Sequence, residues 1–123
     1  MGYDYFYGEQ ADQFSSIRIP KALMTEEIFA PLTMQAKILY GLMLDKMGLS
    51  IQKNWMDEEN RPYIIYTIQE IQEDMSISKK KACDVLNELV EIGLVEKKRQ
   101  GLGLPSMIYV KKFQLGDVSS YKI

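Results

Sequence analysis

The chain has 123 residues, 46% of them hydrophobic and 26% charged, which is enough for one globular core of ordinary size. Its longest apolar run, Ile38–Leu44, falls far short of the roughly 20 residues of a membrane helix, and Met1–Tyr7 lacks the basic and apolar regions of a secretory signal. With no His and a single Cys, Cys83, the chain excludes a Ser-His or Cys-His nucleophile, a His-ligated or thiolate zinc and an internal disulfide, and a cytoplasmic setting is expected.

The net charge of −2 hides an asymmetry. Residues 1–62 sum to −3 and residues 63–123 to +1. Gly93–Phe113 holds Lys97, Lys98, Arg99, Lys111 and Lys112 against Glu96, and Lys79-Lys80-Lys81 forms a second cluster. Positive charge in two short segments matters more for a polyanionic partner than the total does.

The first 13 residues are polar and aromatic without periodicity and read as an arm: either a disordered tail or, because Tyr3, Tyr5, Phe6 and Tyr7 are costly to leave in water, a segment docked on a partner or on the domain, the two readings weighing equally. Phe14–Ile19 alternates loosely up to Pro20, as an edge strand does. Lys21–Ala30 has room for one or two helical turns. Leu32–Met47 is the clearest helix, with Thr33 as N-cap and Gly48 as its expected stop. Trp55 and the methionines Met34, Met43 and Met47 are expected in the core. Ser50–Pro62 is a polar connector, and Tyr63–Tyr66 reads as a short strand.

Thr67 followed by Glu70 is a capping box, flanked by Tyr66 and Ile71 as a hydrophobic staple, and it opens a short helix to about Asp74. Ser78 caps the next helix, Lys79–Glu91, whose buried stripe is Ala82, Val85, Leu86 and Leu89; Gly93 ends it. Leu94–Arg99 and Met107–Lys112 then form a hairpin around a loop with two Gly and a Pro. Helix, short strand, capped helix, turn, helix and hairpin, in that order, make a winged helix-turn-helix: a mostly α, α+β fold whose second helix of the pair is placed to enter a major groove.

Lysines at a helix N-terminus oppose the helix dipole by about 0.3–1 kcal/mol each, a penalty that vanishes when a phosphate sits there. The alternative is a solvated lysine face. A second cluster on the strand leading into the wing favours DNA. The expected DNA-binding residues are Ser78, Lys79, Lys80, Lys81 and Asn87 in the reading helix, and Lys97, Lys98, Arg99 and Gln100 in the wing. Asp84 either accepts from cytosine or, by preference, pairs with Lys80 or Lys81 along the helix. Cys83 reads as a small packing residue. Asp57-Glu58-Glu59 reads as a solvated loop rather than a metal site. No Gly-Lys-Ser/Thr phosphate loop is present, so no catalysis and no cofactor are expected.

Ile19-Pro20-Lys21, Ala36–Gly41, Lys53-Asn54-Trp55 with Asp57-Glu58, Gly93–Gly103 and Ile108–Lys111 together resemble the N-terminal domain of the RepA_N plasmid replication initiators. Where that pattern commonly has Lys before the proline of the wing loop, this chain has Leu104 before Pro105. The resemblance implies a winged-helix domain similar to the N-terminal domain of the primosomal protein DnaD, binding repeated double-stranded origin sites (iterons) as a dimer. It also implies a separate C-terminal domain that engages host replication proteins. Residues 1–30 are then an arm, with Tyr5, Phe6, Tyr7, Phe14, Ile17 and Ile19 expected at a homodimer contact; 31–113 are the DNA-binding domain; and 114–123 begin a linker. A transcriptional regulator or an assembly scaffold on the same fold is the alternative.

Overall fold

Side-chain caps decide where the main helices begin. The structure, a computed structural model, describes residues 2–8 and 14–113; the linker expected at 114–123 lies outside the described residues. One helical turn, α1 (Ala22–Thr25), and a 3-10 turn, Glu27–Phe29, are the short turns expected between Lys21 and Ala30. Thr33 Oγ1 then accepts from the Ala36 N–H at 3.2 Å and opens α2, Met34–Gln52. Thr67 opens α3, Ile68–Met75: its hydroxyl accepts from the Glu70 N–H at 3.1 Å, and the Glu70 carboxylate accepts from the Thr67 N–H at 3.0 Å. Ser78 Oγ accepts from the Lys81 N–H at 3.1 Å and opens α4, Lys79–Ile92. Each such cap is worth about 1 kcal/mol.

Left-handed residues end the two later helices. Ser76 (φ 55°) closes α3 and sets the turn into α4, and Gly93 (φ 92°) closes α4 and directs the chain into the hairpin. The hairpin pairs β1 (Val95–Lys98) with β2 (Met107–Val110), antiparallel, in the register Val95↔Val110 to Lys98↔Met107. The expected strand Tyr63–Tyr66 reduces to one bridge: Ile64 and Ile108 exchange backbone hydrogen bonds of 2.9 and 2.8 Å. It goes no further because Tyr66 turns into the hydrophobic staple, where it and Ile71 are both buried.

The core lies between α2 and α4. Ala36, Leu39, Tyr40 and Met43 meet the expected stripe Ala82, Val85, Leu86 and Leu89, closed by Ile71, Ile64, Val95 and Ile108. Glu88 locks the two helices together: its carboxylate accepts from both the backbone N–H and the hydroxyl of Thr33, each at 2.8 Å. Helix, capped helix, tight turn, helix and hairpin make a winged helix-turn-helix.

Three expectations are corrected. Gly48 does not stop α2, which runs on to Gln52 because apolar and polar residues continue at helical spacing and no left-handed residue comes before Asn54 (φ 61°). Phe14–Ile19 forms no strand and, among the described residues, pairs with none. Its end lies instead on α2 at Gly41, where a Cβ would meet Ile19 Cγ1 at 2.9 Å and the Arg18 carbonyl at 3.0 Å. Of the residues assigned to the core, Met43 is buried, but Met34 and Trp55 are exposed, Trp55 by 43%.

The two α2 glycines should therefore respond in opposite directions. Gly48→Ala, with open space around it, gains helix propensity and should raise stability by about 0.5–1 kcal/mol. Gly41→Ala pushes against backbone and should lower the melting temperature despite the same propensity gain. Thermal melts of the two variants check this.

Candidate nucleic-acid interface

The first turn of α4 is the most basic exposed turn of the fold. Lys79 and Lys80 are exposed and Lys81 is half-buried. Lys80 Nζ lies 3.1 Å from Asp84 Oδ2, the helix pairing preferred from the sequence. Both partners are well exposed, so the pair is worth little and yields readily to a stronger anion. Among the described residues, Lys79 and Lys81 make no ion pair. Ser78 Oγ serves as a cap acceptor, which leaves its hydroxyl hydrogen free to donate outward.

At 100° per residue, Lys80, Asp84, Asn87 and Glu91 share the outward face of α4. Asn87 is exposed, but Asp84 and Glu91 flank it. Positive potential is therefore confined to the N-terminal turn, and an anion is drawn to that end of the helix rather than along its length.

The wing residues do not act as one patch. Alternation along β1 puts Lys97 on the face of Val95 and Lys98 on the opposite face with Glu96. Lys98 borders a groove of about 310 Å³ lined also by Asp57, Glu58, Glu59 and Arg61. Arg99 lies just past the strand and is exposed. Gln100 is exposed, and its Nε2 donates to the Pro105 carbonyl at 2.8 Å, which closes the wing loop. Lys111 pairs with Glu96 at 3.2 Å.

A polar network at the foot of the wing was not anticipated. Asp57 Oδ1 accepts from the Glu59 and Arg61 N–H groups, both at 2.9 Å. Its Oδ2 accepts from Arg61 Nε and the Tyr109 hydroxyl, also at 2.9 Å. The Arg61 guanidinium covers the Tyr109 ring, 4.9 Å from its centre. The Arg61 N–H bond, aided by the Tyr109 hydroxyl, the Arg61 side chain and the Glu59 N–H, holds the Asp57 carboxyl down at about 2. Burial pushes the Tyr109 phenol up, and Asp57 adds to the shift. The connector's one sequence hint was an Asp with an Arg four residues on. Among the described residues, no group of three or more Cys, Asp or Glu side chains is placed to hold a metal.

The arm divides in two. Ile17 and Ile19, expected at a dimer contact, are partly covered by their own α2 at Gly41. Tyr5, Phe6, Tyr7 and Phe14 remain exposed, with Phe6 and Phe14 edge to face at 5.8 Å. No helix among the described residues is long and apolar enough to cross a membrane.

Residues 15–123 match the family model described as the N-terminus of replication initiator protein A. The chain belongs to the RepA_N family. It is similar to a solved structure described as the N-terminal domain of a DNA-binding protein, at 30% identity and a TM-score of 0.79, covering 98% of this chain and 92% of that one. A structure of a Rep–DNA complex matches at 30% identity and 0.78, covering 97% and 92%. A structure of an MDR initiator matches at 27% and 0.75, covering 97% and 94%. A 41 kDa protein of Lactobacillus helveticus is 29% identical over 84 residues, which are 68% of this chain. The match spans about a quarter, 24%, of that relative's length.

The Asp57 network makes a pH prediction. A carboxyl whose value falls from the ordinary 3.8 to about 2 on folding adds stability that is complete above the upper value and is lost as pH falls through the lower one. The melting-temperature gap between the native chain and Asp57→Asn should be constant near neutrality and close between about pH 4 and 2. Melts across that range measure it.

Proposed function

We propose that this RepA_N domain binds repeated double-stranded sites in a plasmid origin, without catalysis and without a cofactor, as the N-terminal part of a replication initiator. The observation that carries the reading is the first turn of α4: three lysines set against the helix dipole, two of them without an ion-pair partner among the described residues, beside a serine whose oxygen serves as cap acceptor and whose hydroxyl can still donate. A phosphate there satisfies dipole, N–H groups and ammonium groups at once. α4 enters the major groove by this turn, with Asn87 farther along the same face, while Lys97 and Arg99 of the wing hold the neighbouring backbone. Lys98 contributes less because it faces Glu58 and Glu59. The Rep–DNA complex with the same fold supports the assignment.

Phosphate contacts predict a salt signature. Replacing Lys79, Lys80 and Lys81 together by Ala should lower the slope of log K against log salt by about 2–3, at roughly 0.9 per lost contact. Fluorescence anisotropy against origin repeats and a scrambled duplex, at several salt concentrations, reads both slope and specificity. An unchanged slope removes α4 from the interface.

The working unit is a homodimer in the bacterial cytoplasm, joined through the arm at Tyr5, Phe6, Tyr7 and Phe14, whose rings their own domain leaves exposed. Contacts with host replication proteins belong to the remainder of a longer initiator. Deleting residues 1–16 keeps Ile17–Ile19 on α2 and should halve the mass seen by light scattering; a dimer that persists excludes the arm.

A further inference from the structure

Two antiparallel strands joined by a long loop are marginal on their own, so the direction of the wing must be imposed from outside it. The core face of the hairpin is held by Ile64, which pairs with Ile108, and the end of β2 by the Tyr40 hydroxyl, which donates to the Lys111 carbonyl at 2.6 Å. Neither contact controls the opposite face, that of Glu96, Lys98, Met107 and Tyr109. There the connector loop is seated. Met56 and Pro62 bridge at its neck, and Asp57 folds the loop around its own carboxylate through the Glu59 and Arg61 N–H groups. The same carboxylate then takes the Tyr109 hydroxyl.

We propose that Asp57, Arg61 and Tyr109 form a brace that fixes the wing's angle on the helical body, and so tune DNA affinity from the face of the wing opposite Lys97. The inference rests on the DNA-binding reading above. Three observations support a brace over a loop fastened only to itself. The Asp57 side chain is only 9% exposed although its neighbours Glu58 and Glu59 are exposed. Its Oδ2 accepts from the hydroxyl of Tyr109, 52 residues away in sequence. The charge of Arg61 is taken up within the loop, by Asp57 at 2.9 Å and Glu59 at 3.5 Å, while its guanidinium carbon lies over the Tyr109 ring, 4.9 Å from its centre. Asp57 and Tyr109 are thus positioning residues: they act through Lys97 and Arg99, which the brace keeps at a set height above the duplex.

A double-mutant cycle separates this role from simple stabilisation. Tyr109→Phe removes one hydroxyl and keeps the ring; Asp57→Asn weakens the acceptor and keeps its shape. Each is combined with a wing variant, Lys97→Ala with Arg99→Ala, and, separately, with Lys79→Ala and Lys81→Ala in α4. Binding of a labelled mixed-sequence duplex is followed at low salt, below each protein's melting transition. The brace variants should weaken binding by about three- to tenfold in the native and α4 backgrounds, and have no further effect in the wing background. Undiminished affinity of both brace variants, or an equal loss in the wing background, overturns the brace. Should Tyr109→Phe fail to fold, Asp57→Asn and Arg61→Ala carry the same cycle. Failure of the native chain to bind any duplex would instead strike the DNA-binding reading itself, and the brace with it.

Discussion

A hairpin of two four-residue strands cannot hold its own orientation in water, and much of this domain is arranged around that fact. The hairpin has one core face, Val95, Ile108 and Val110, and α4 covers it together with Ile64. Gly93 joins α4 directly to the strand in a left-handed turn, so the helix that carries the basic turn also positions the wing. α4 is tied to α2 in turn by a buried apolar seam and by Glu88 on the N-cap of α2. Glu88 thus links the start of one helix to the flank of the other, and the two candidate DNA-facing elements share one rigid support.

Electrostatics follow from this support rather than from composition. The chain is net negative, yet its acidic residues are largely engaged or set apart. Asp57 is satisfied by four donors, Glu70 by the Thr67 cap and Glu88 by Thr33. Asp74 accepts from the Tyr66 hydroxyl at 2.5 Å, pinning the residue before the α3 N-cap to the helix's last turn. Acidic groups recruited as internal acceptors leave the lysines of the first turn of α4 to define the field at its N-terminus.

What was legible in the sequence is local chemistry. The Thr67–Glu70 box, the Ser78 cap, the Gly93 stop and the α4 stripe each depend on residues no more than four positions from the next one, and each appears as read. What was not legible depends on a distant partner. Gly48 looked like a helix stop, but nothing downstream drew the chain into a left-handed turn until Asn54. Gly41 lay unremarked within the helix, yet it admits the Ile17–Ile19 segment, which is why the loosely alternating Phe14–Ile19 lies on a helix and not in a sheet. Trp55 was assigned to the core on hydrophobicity alone; it stacks with Tyr63 at 6.5 Å and sits under Lys53 at the surface. The Asp57–Tyr109 bond joins residues 52 positions apart, and no spacing rule reaches it.

The same distinction governs how charge runs translate into surfaces. Three consecutive lysines at a helix N-terminus fan over about 200° yet stay within one turn, about 3 Å of axial rise, so all three remain near the same free N–H groups. Lys97 and Lys98 in β1 are thrown to opposite sides of a ribbon, one toward the Val95 face and the other toward Glu58 and Glu59. A basic run is therefore a patch when it falls at the start of a helix and two half-patches when it falls in a strand. In this domain the α4 cluster gathers its charge at one point. The wing cluster divides it, and Lys98, facing the loop that seats Tyr109, couples the wing's charge to its support.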